Sequence, residues 1–477
     1  MAFKLHCRSC SWALLLCVGA CSGLTAQTYT VIATLTGENA YPQGNLIQGV
    51  NGNLYGTSFG NSGGKERGTV FEVTTSGTVS TLYTFCSKPN CADGSFPASG
   101  LIMANDLNFY GTTESGGAHG SGTVFKLTPS GTLTTLYSFC QDPSSCADGG
   151  YPYAGLVQGT SGLLYGTTAD GGAYALGTVF SIATSGEAFT TLYSFCDGRC
   201  DGLGLNDGSG PESTLVQDSN GNLYGTTLFG TIFEITPQGT LTTLYEFCSQ
   251  PSCADGTAPS GNMALSANGV LYGAAPNGGA YSGGVVWGFG ISDNGFGDLV
   301  DFGDSNGALP NGVVMGTNGY VYGTSLGAVG RSGVVYPSTI YKISPTTDEI
   351  TVLYTFCQTD GCPDGGPPSG ELVEATSGVF YGASYGPSTG TVFSLSDGLS
   401  PFVMSVPTFG HPGNKVRILG TDLTGTTAVS FDGKPATFMV NSSSEITAEV
   451  PTGAKTGEII VQTPGGKLKG NVDFTIL

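Results

Sequence analysis

From Thr28 onward, β-branched and aromatic residues alternate with polar ones in short runs, each bounded by Gly, Pro, Asn or Asp. A period of two between turn residues predicts β-strands. The runs recur as a set. A Tyr-Gly pair ends an apolar run seven times, at Tyr55, Tyr110, Tyr165, Tyr224, Tyr272, Tyr322 and Tyr381, spaced by 55, 55, 59, 48, 50 and 59 residues. Thr or Ala follows each pair, as in Leu54-Tyr55-Gly56-Thr57. A second motif comes next, of the form Gly68-Thr69-Val70-Phe71, and recurs with variations to Gly390-Thr391-Val392-Phe393. A third reads Thr-Leu-Tyr-Ser-Phe or close to it, as in Thr191 to Phe195. Ser-Gly, Asn-Gly and Gln-Gly mark hairpin turns between the runs. An apolar segment such as Gly155-Leu156-Val157 opens each unit, so each repeat holds four short antiparallel strands.

Four strands in roughly 50 residues is the size of a β-propeller blade. The third motif follows the second only six times, and nothing like it comes after Phe393. A displaced copy, Thr30-Val31-Ile32-Ala33-Thr34-Leu35, stands before the first repeat. A strand in that place completes the last blade and removes two exposed sheet edges. The expectation is an all-β chain: a seven-bladed β-propeller over residues 28–397, closed by its N-terminal strand, followed by a smaller β-domain over 400–477. A β-solenoid is the alternative, but its coils run about 20–30 residues and need no displaced strand.

Leu164-Tyr165-Gly166-Thr167-Thr168 through Gly177-Thr178-Val179-Phe180 to Thr191-Leu192-Tyr193-Ser194-Phe195 resembles the bacterial GloVer repeat. That resemblance covers about residues 28 to 397 and implies an exported protein with a surface address, without implying a chemistry. In the tail, Thr427-Ala428-Val429-Ser430-Phe431-Asp432-Gly433 and Ile446-Thr447-Ala448-Glu449-Val450-Pro451 resemble an IPT/TIG domain. This implies an immunoglobulin-like sandwich acting as a spacer, an adhesion module or an accessory domain of a polysaccharide enzyme.

Composition narrows the partners. The chain has 79 Gly, 10% charged residues and a formal net charge of −20. Such a balance repels phosphate backbones, so nucleic acid is not expected. Residues 1–26 read as a signal peptide, with Lys4 and Arg8 before the apolar run Trp12 to Ala20, which is too short to span a bilayer. Val18-Gly19-Ala20-Cys21 also resembles a lipobox, making Cys21 a candidate lipid anchor and the only route to a membrane. A later cut after Ala26 competes with it. The expected address is secreted or cell envelope, including an outer-membrane lipoprotein.

Ten cysteines fall into five close pairs: Cys86/Cys91, Cys140/Cys146, Cys196/Cys200, Cys248/Cys253 and Cys357/Cys362. Each pair begins directly after the third motif, and the fifth repeat lacks both members. Joint presence or absence predicts local disulfides rather than zinc, which would want four ligands.

Each repeat also places an acidic or amide residue four positions before a Pro: Glu38, Asp93, Asp148, Asp207, Asp255, Asn306 and Asp364. One reading is a turn in which the Asx side chain caps its own backbone. The other starts from topology, since these crossovers lead toward a propeller axis, where a ring of carboxylates would attract Ca²⁺ or a cationic ligand. No other cofactor is expected.

Loops between the second and third strands carry Gly-Gly, as in Glu114-Ser115-Gly116-Gly117 and Asp170-Gly171-Gly172, and none opens a helix that would bind phosphate. They emerge on the same face as the cysteine-bearing crossovers, and this disulfide face is where a ligand site is expected. No catalytic residue is assigned. No nucleophile elbow, zinc-protease or Walker motif is present. His119 and His411 read as surface residues. Glu114, Asp170 and Glu212 are carboxylates of the kind glycosidases use, but nothing in the sequence pairs them. Trp287 occupies the Phe position of the second motif and the tyrosines sit in strands, which counts against a lectin. The first functional reading is a non-enzymatic surface or envelope protein that binds a carbohydrate or protein through the loop-rich face. The alternative is a secreted glycoside hydrolase or lyase with an Ig-like accessory domain.

Overall fold

The computed structural model describes residues 27–60, 67–196, 207–303, 306–329, 335–359, 361–386 and 389–477. The signal-like segment with Cys21 lies outside them, as does Cys200. The described residues are all-β apart from three short 3-10 turns. Seven four-stranded antiparallel sheets occupy the repeats. In the first, the strands are Pro42–Gln48, Leu54–Ser58, Thr69–Val73 and Val79–Thr84, paired in sequence order. The last sheet differs. Its strands Val373–Glu374, Val379–Tyr385 and Gly390–Ser396 are completed by Thr28–Leu35, in register from Thr28↔Ser396 to Leu35↔Gly390.

The recurring motifs have a common packing reason. Gly56 lies opposite Phe71 in the ladder. A Cβ at Gly56 would sit 2.8 Å from the Phe71 ring and 2.7 Å from Leu46, so the aromatic of the second motif fills the space that the glycine leaves. Gly111 with Phe125, Gly166 with Phe180 and Gly273 with Trp287 repeat the arrangement. The Tyr-Gly strands of the first three repeats are buried along their whole length, whereas the fourth strands are half exposed.

Adjacent sheets interlock through the third motif. Its Phe meets the second-motif aromatic of the next repeat, mostly edge to face: Phe85 on Phe125, Phe139 on Phe180, Phe195 on Phe233, Phe247 on Trp287, Phe302 on Tyr341 and Phe356 on Phe393, with centroids 4.9–5.6 Å apart. Such pairs add about 0.5–1.5 kcal/mol each to their area burial. Leu35 of the displaced strand joins the cluster around Phe71, the place that the missing Phe would take. Thr57 and Thr112 donate from Oγ1 to the carbonyls of Ser99 and Ala154 in the following repeat, at 2.7 and 2.9 Å.

The tail holds two four-stranded sheets and a short parallel pair, Phe409–Gly410 with Thr475–Ile476. They enclose one core that includes Val416, Ile418, Phe431, Ile446, Val461 and Phe474. The tail touches the first and last repeats: Ser444 Oγ donates to the Val50 carbonyl at 2.8 Å, and the Thr421 and Thr376 hydroxyls lie 3.2 Å apart.

Candidate functional site

Four of the five cysteine pairs are joined, Cys86–Cys91, Cys140–Cys146, Cys248–Cys253 and Cys357–Cys362. Cys196 is also disulfide-bonded. Both members of each of the four pairs have left-handed backbone, for example Cys248 at φ 60° and Cys253 at φ 51°. The bridge therefore closes a loop that two side-chain-bearing residues would not adopt cheaply on their own.

These loops present the acidic crossover positions to local partners. Tyr83, Tyr137, Tyr193, Tyr245 and Tyr354 of the third motif donate their hydroxyls to Asp93, Asp148, Asp207, Asp255 and Asp364 at 2.6–3.0 Å. Asp255 Oδ2 also accepts from the Ser249 amide and hydroxyl at 3.0 and 2.9 Å. Burial pushes the Asp93 and Asp255 carboxyls up, but the Tyr and Ser hydroxyls and the backbone amides outweigh it and hold both below the usual range. In the fifth repeat, Asn306 Oδ1 accepts from the Gly303 amide at 2.8 Å. Glu38 accepts from Thr84 Oγ1 at 2.9 Å. Among the described residues, no group of three or more His, Cys, Asp or Glu could hold a metal ion. The five aspartates and Asn306 are thus bonded within their own crossovers, whereas Glu38 turns to the fourth strand of the first repeat.

The residues that do converge lie just beyond the Pro. One cavity of about 330 Å³ is lined from every repeat, by Asn45, Gly100, Gly155, Thr214, Asn262 and Glu371 among others, with Asn311 from the sixth. Its mouth, a hollow of about 400 Å³, is bordered by Gln43, Ala98, Tyr153, Glu212, Ser260 and Asn311. These six occupy the same place in their repeats, directly after the Pro. Phe59 and Glu114 join them from the loops between second and third strands, so the mouth opens on the loop-rich face.

The mouth is acidic and asymmetric. Burial raises the Glu114 carboxyl and the nearby Tyr153 hydroxyl offsets this only in part. Burial and then the Asp170 charge raise Glu212. Burial together with the Glu114 and Glu212 charges pushes the Tyr153 hydroxyl up to about 12. The structure thus brings together Glu114, Asp170 and Glu212, which the sequence left unpaired. Deeper in, Glu371 reaches across the sixth repeat to accept from the Asn262 amide at 2.8 Å and from Asn262 Nδ2 at 3.3 Å. Burial raises its carboxyl although that amide works against it. Ser369 Oγ, buried and without a protein partner, also lines the cavity. Among the described residues, neither Lys nor Arg contributes to the lining.

The sequence did carry a signal for the mouth. After a Pro in every repeat, one position runs Gln43, Ala98, Tyr153, Glu212, Ser260, Asn311, Ser369, varying inside a constant frame. A position released from the repeat pattern is one that the repeat fold does not need.

Residues 19–228 and 201–395 match the Gloeobacter/Verrucomicrobia repeat, and residues 401–476 match the IPT/TIG domain. The chain belongs to the Gloeobacter/Verrucomicrobia repeat family. No curated protein matches it. Among solved structures, it is similar to the extracellular domain of a protein described as a hybrid two-component system of B. thetaiotaomicron, at 11% identity and a TM-score of 0.52, covering 94% of this chain and 46% of that one. A second such domain from the same organism gives 12% and 0.51, covering 93% and 57%. The chain therefore spans about half the length of these structures. Oligogalacturonate lyase from Vibrio parahaemolyticus gives 8% and 0.50, covering 78% and 97%. At these identities the likeness concerns the fold alone.

Proposed function

We propose that this member of the repeat family is an exported, non-catalytic binding protein whose seven sheets are the blades of a β-propeller closed by Thr28–Leu35. Ligand is taken at the cavity mouth on the loop-rich face. The observation that carries this reading is a cavity to which all seven repeats contribute. Two contacts between the last repeat and the first support the ring. A Cβ on Gly390 would meet Pro42, as one on Gly122 meets Pro152 and one on Gly177 meets Pro211. The Thr376 amide donates to Gln48, as the Thr160 amide does to Gln217. The disulfides support an oxidising compartment, reached by signal cleavage or by acylation of Cys21. The tail domain, seated on the opposite face, leaves the mouth open.

A glycan array probed with the full chain tests the reading. Bound glycans should be lost with Tyr153→Ala while the melting temperature stays at the parental value. Binding that survives changes at Tyr153, Glu212 and Asn311 would overturn the assignment of the mouth.

One observation favours a second reading, a polysaccharide-active enzyme. Glu114 and Glu212 flank Tyr153 with their carboxyls raised, as a general acid requires. Release of new reducing ends from a polysaccharide, reduced by at least about a hundredfold in Glu212→Gln, would establish catalysis in place of simple capture.

A further inference from the structure

The loop-rich face carries isolated, solvent-exposed aromatic rings that no packing explains. His119, Tyr174 and Tyr281 each follow Gly-Gly-Ala in the loop between second and third strands of their repeats. The loop is anchored the same way three times. Both glycines take positive φ, 78° and 81° at Gly116 and Gly117, 76° and 82° at Gly171 and Gly172, and 79° and 78° at Gly278 and Gly279. Such successive left-handed positions suit glycine alone. The alanine amide then donates to the fourth strand, from Ala118 to Ser138 Oγ, from Ala173 to Ser194 Oγ and from Ala280 to Asp301 Oδ1. The next side chain is thereby thrown outward, and Tyr174 and Tyr281 are 50% and 67% exposed. In the fourth repeat a tighter turn exposes Phe229 to 70%. In the seventh, Tyr385 stands exposed and also lines the cavity.

These rings do not form the continuous apolar patch that a protein partner buries. They are single flat surfaces in the third, fourth, fifth and seventh repeats, separated by glycines and polar groups. The mouth beside them offers amides at Gln43 and Asn311, and the cavity beneath it the unpartnered Ser369 hydroxyl, groups that suit sugar hydroxyls. Among the described lining residues its charged groups are carboxylates, Glu114 and Glu212, in a chain of net charge −20, so the complementary ligand is cationic.

We infer that the loop-rich face binds an amine-bearing polysaccharide, with sugar rings stacked on Tyr174, Phe229 and Tyr281 and an amino group at the Glu114–Glu212 mouth. This rests on the proposed binding role of the mouth and commits it to a ligand class.

Titration calorimetry with the full chain tests it, using the hexamer of glucosamine, its fully N-acetylated counterpart, cellohexaose and hexalysine as four probes. The glucosamine hexamer should bind at least about tenfold tighter than the other three, a difference of roughly 1.4 kcal/mol. High salt should weaken it. Phe229→Ala combined with Tyr281→Ala should weaken it about tenfold at an unchanged melting temperature, since both rings are exposed. Glu114→Gln with Glu212→Gln should erase the preference over the N-acetylated hexamer. Equal binding of hexalysine would mean that charge alone is read and would overturn the sugar. Equal binding of a neutral hexamer, lost with Tyr153→Ala, would overturn the amine while leaving the binding site in place. Absence of binding to all four probes overturns the inference as a whole.

Discussion

The backbone N–H of Thr376 donates to Gln48 Oε1 over 2.9 Å, a bond between the last repeat and the first. The same relation joins Asn105 to Gln158, Thr160 to Gln217 and Thr317 to Glu374 in consecutive repeats. Thr376 is only 1% exposed, and its carbonyl accepts from Phe402 at 2.9 Å where the tail begins. Sheet pairing, side-chain contact and tail docking all meet at this seam.

Gln48→Ala strands the Thr376 N–H without water and should destabilise the fold by about 1–3 kcal/mol. Gln158→Ala, whose donor Asn105 is exposed, should do less. Urea unfolding of both variants checks the order. Deleting residues 28–36 bares the edge of Gly390–Ser396 and should lower the melting temperature and promote aggregation. A deletion that melts like the parent would overturn the closure.

Replacing Cys248 and Cys253 together with Ala should lower stability by about 2 kcal/mol or less, because the bridge closes a short loop. The two left-handed positions relax at the same time, which limits the loss. Non-reducing peptide mapping should find the four described bridges and one joining Cys196 to Cys200. A bridge between different repeats would contradict the local pairing.

The crossover aspartates should behave as caps. Asp255→Asn removes a carboxylate held by Tyr245 and Ser249 and should cost about 1–3 kcal/mol at neutral pH. Its folded value is depressed, so its contribution is present above the unfolded value near 3.8 and is lost as pH falls through the folded one. The mutant and parent curves should therefore merge in acid. With both oxygens of Asp93 and Asp255 occupied, millimolar Ca²⁺ should leave the melting temperature unchanged in low salt, and a clear rise would restore the cation-ring reading.

Glu114, Glu212, Glu371 and Asp298 have the opposite sign. Burial raises all four, Asp298 to about 6. The folded chain then binds more protons than the unfolded one, so stability should fall as pH rises from about 4.5 toward neutral. Together with the depressed aspartates, this places the maximum at mildly acidic pH. Melting temperatures across pH 4 to 8 should show a decline that flattens when Glu212→Gln and Glu371→Gln are combined. A curve that climbs steadily to pH 8 would contradict the assignment.

The sequence by itself determined the strands, their grouping into seven sheets, the displaced strand and the cysteine pairs. Each is set by neighbours within one repeat: Gly56 needs the Phe71 ring opposite it, and Cys248 needs Cys253 a turn away. Local requirements recur in every copy and so appear as pattern. The same recurrence offered the crossover aspartates both as turn caps and as a carboxylate ring, and in the structure each accepts from a tyrosine of its own repeat. Strand periodicity also hid Tyr174 and Tyr281, which stand on loops and are exposed. Only tertiary structure decided which positions share the cavity. Gln43, Tyr153, Glu212 and Asn311 come from four different repeats. A residue chosen for a space that seven sheets enclose together leaves no period behind, because the physical demand on it comes from the opposite wall.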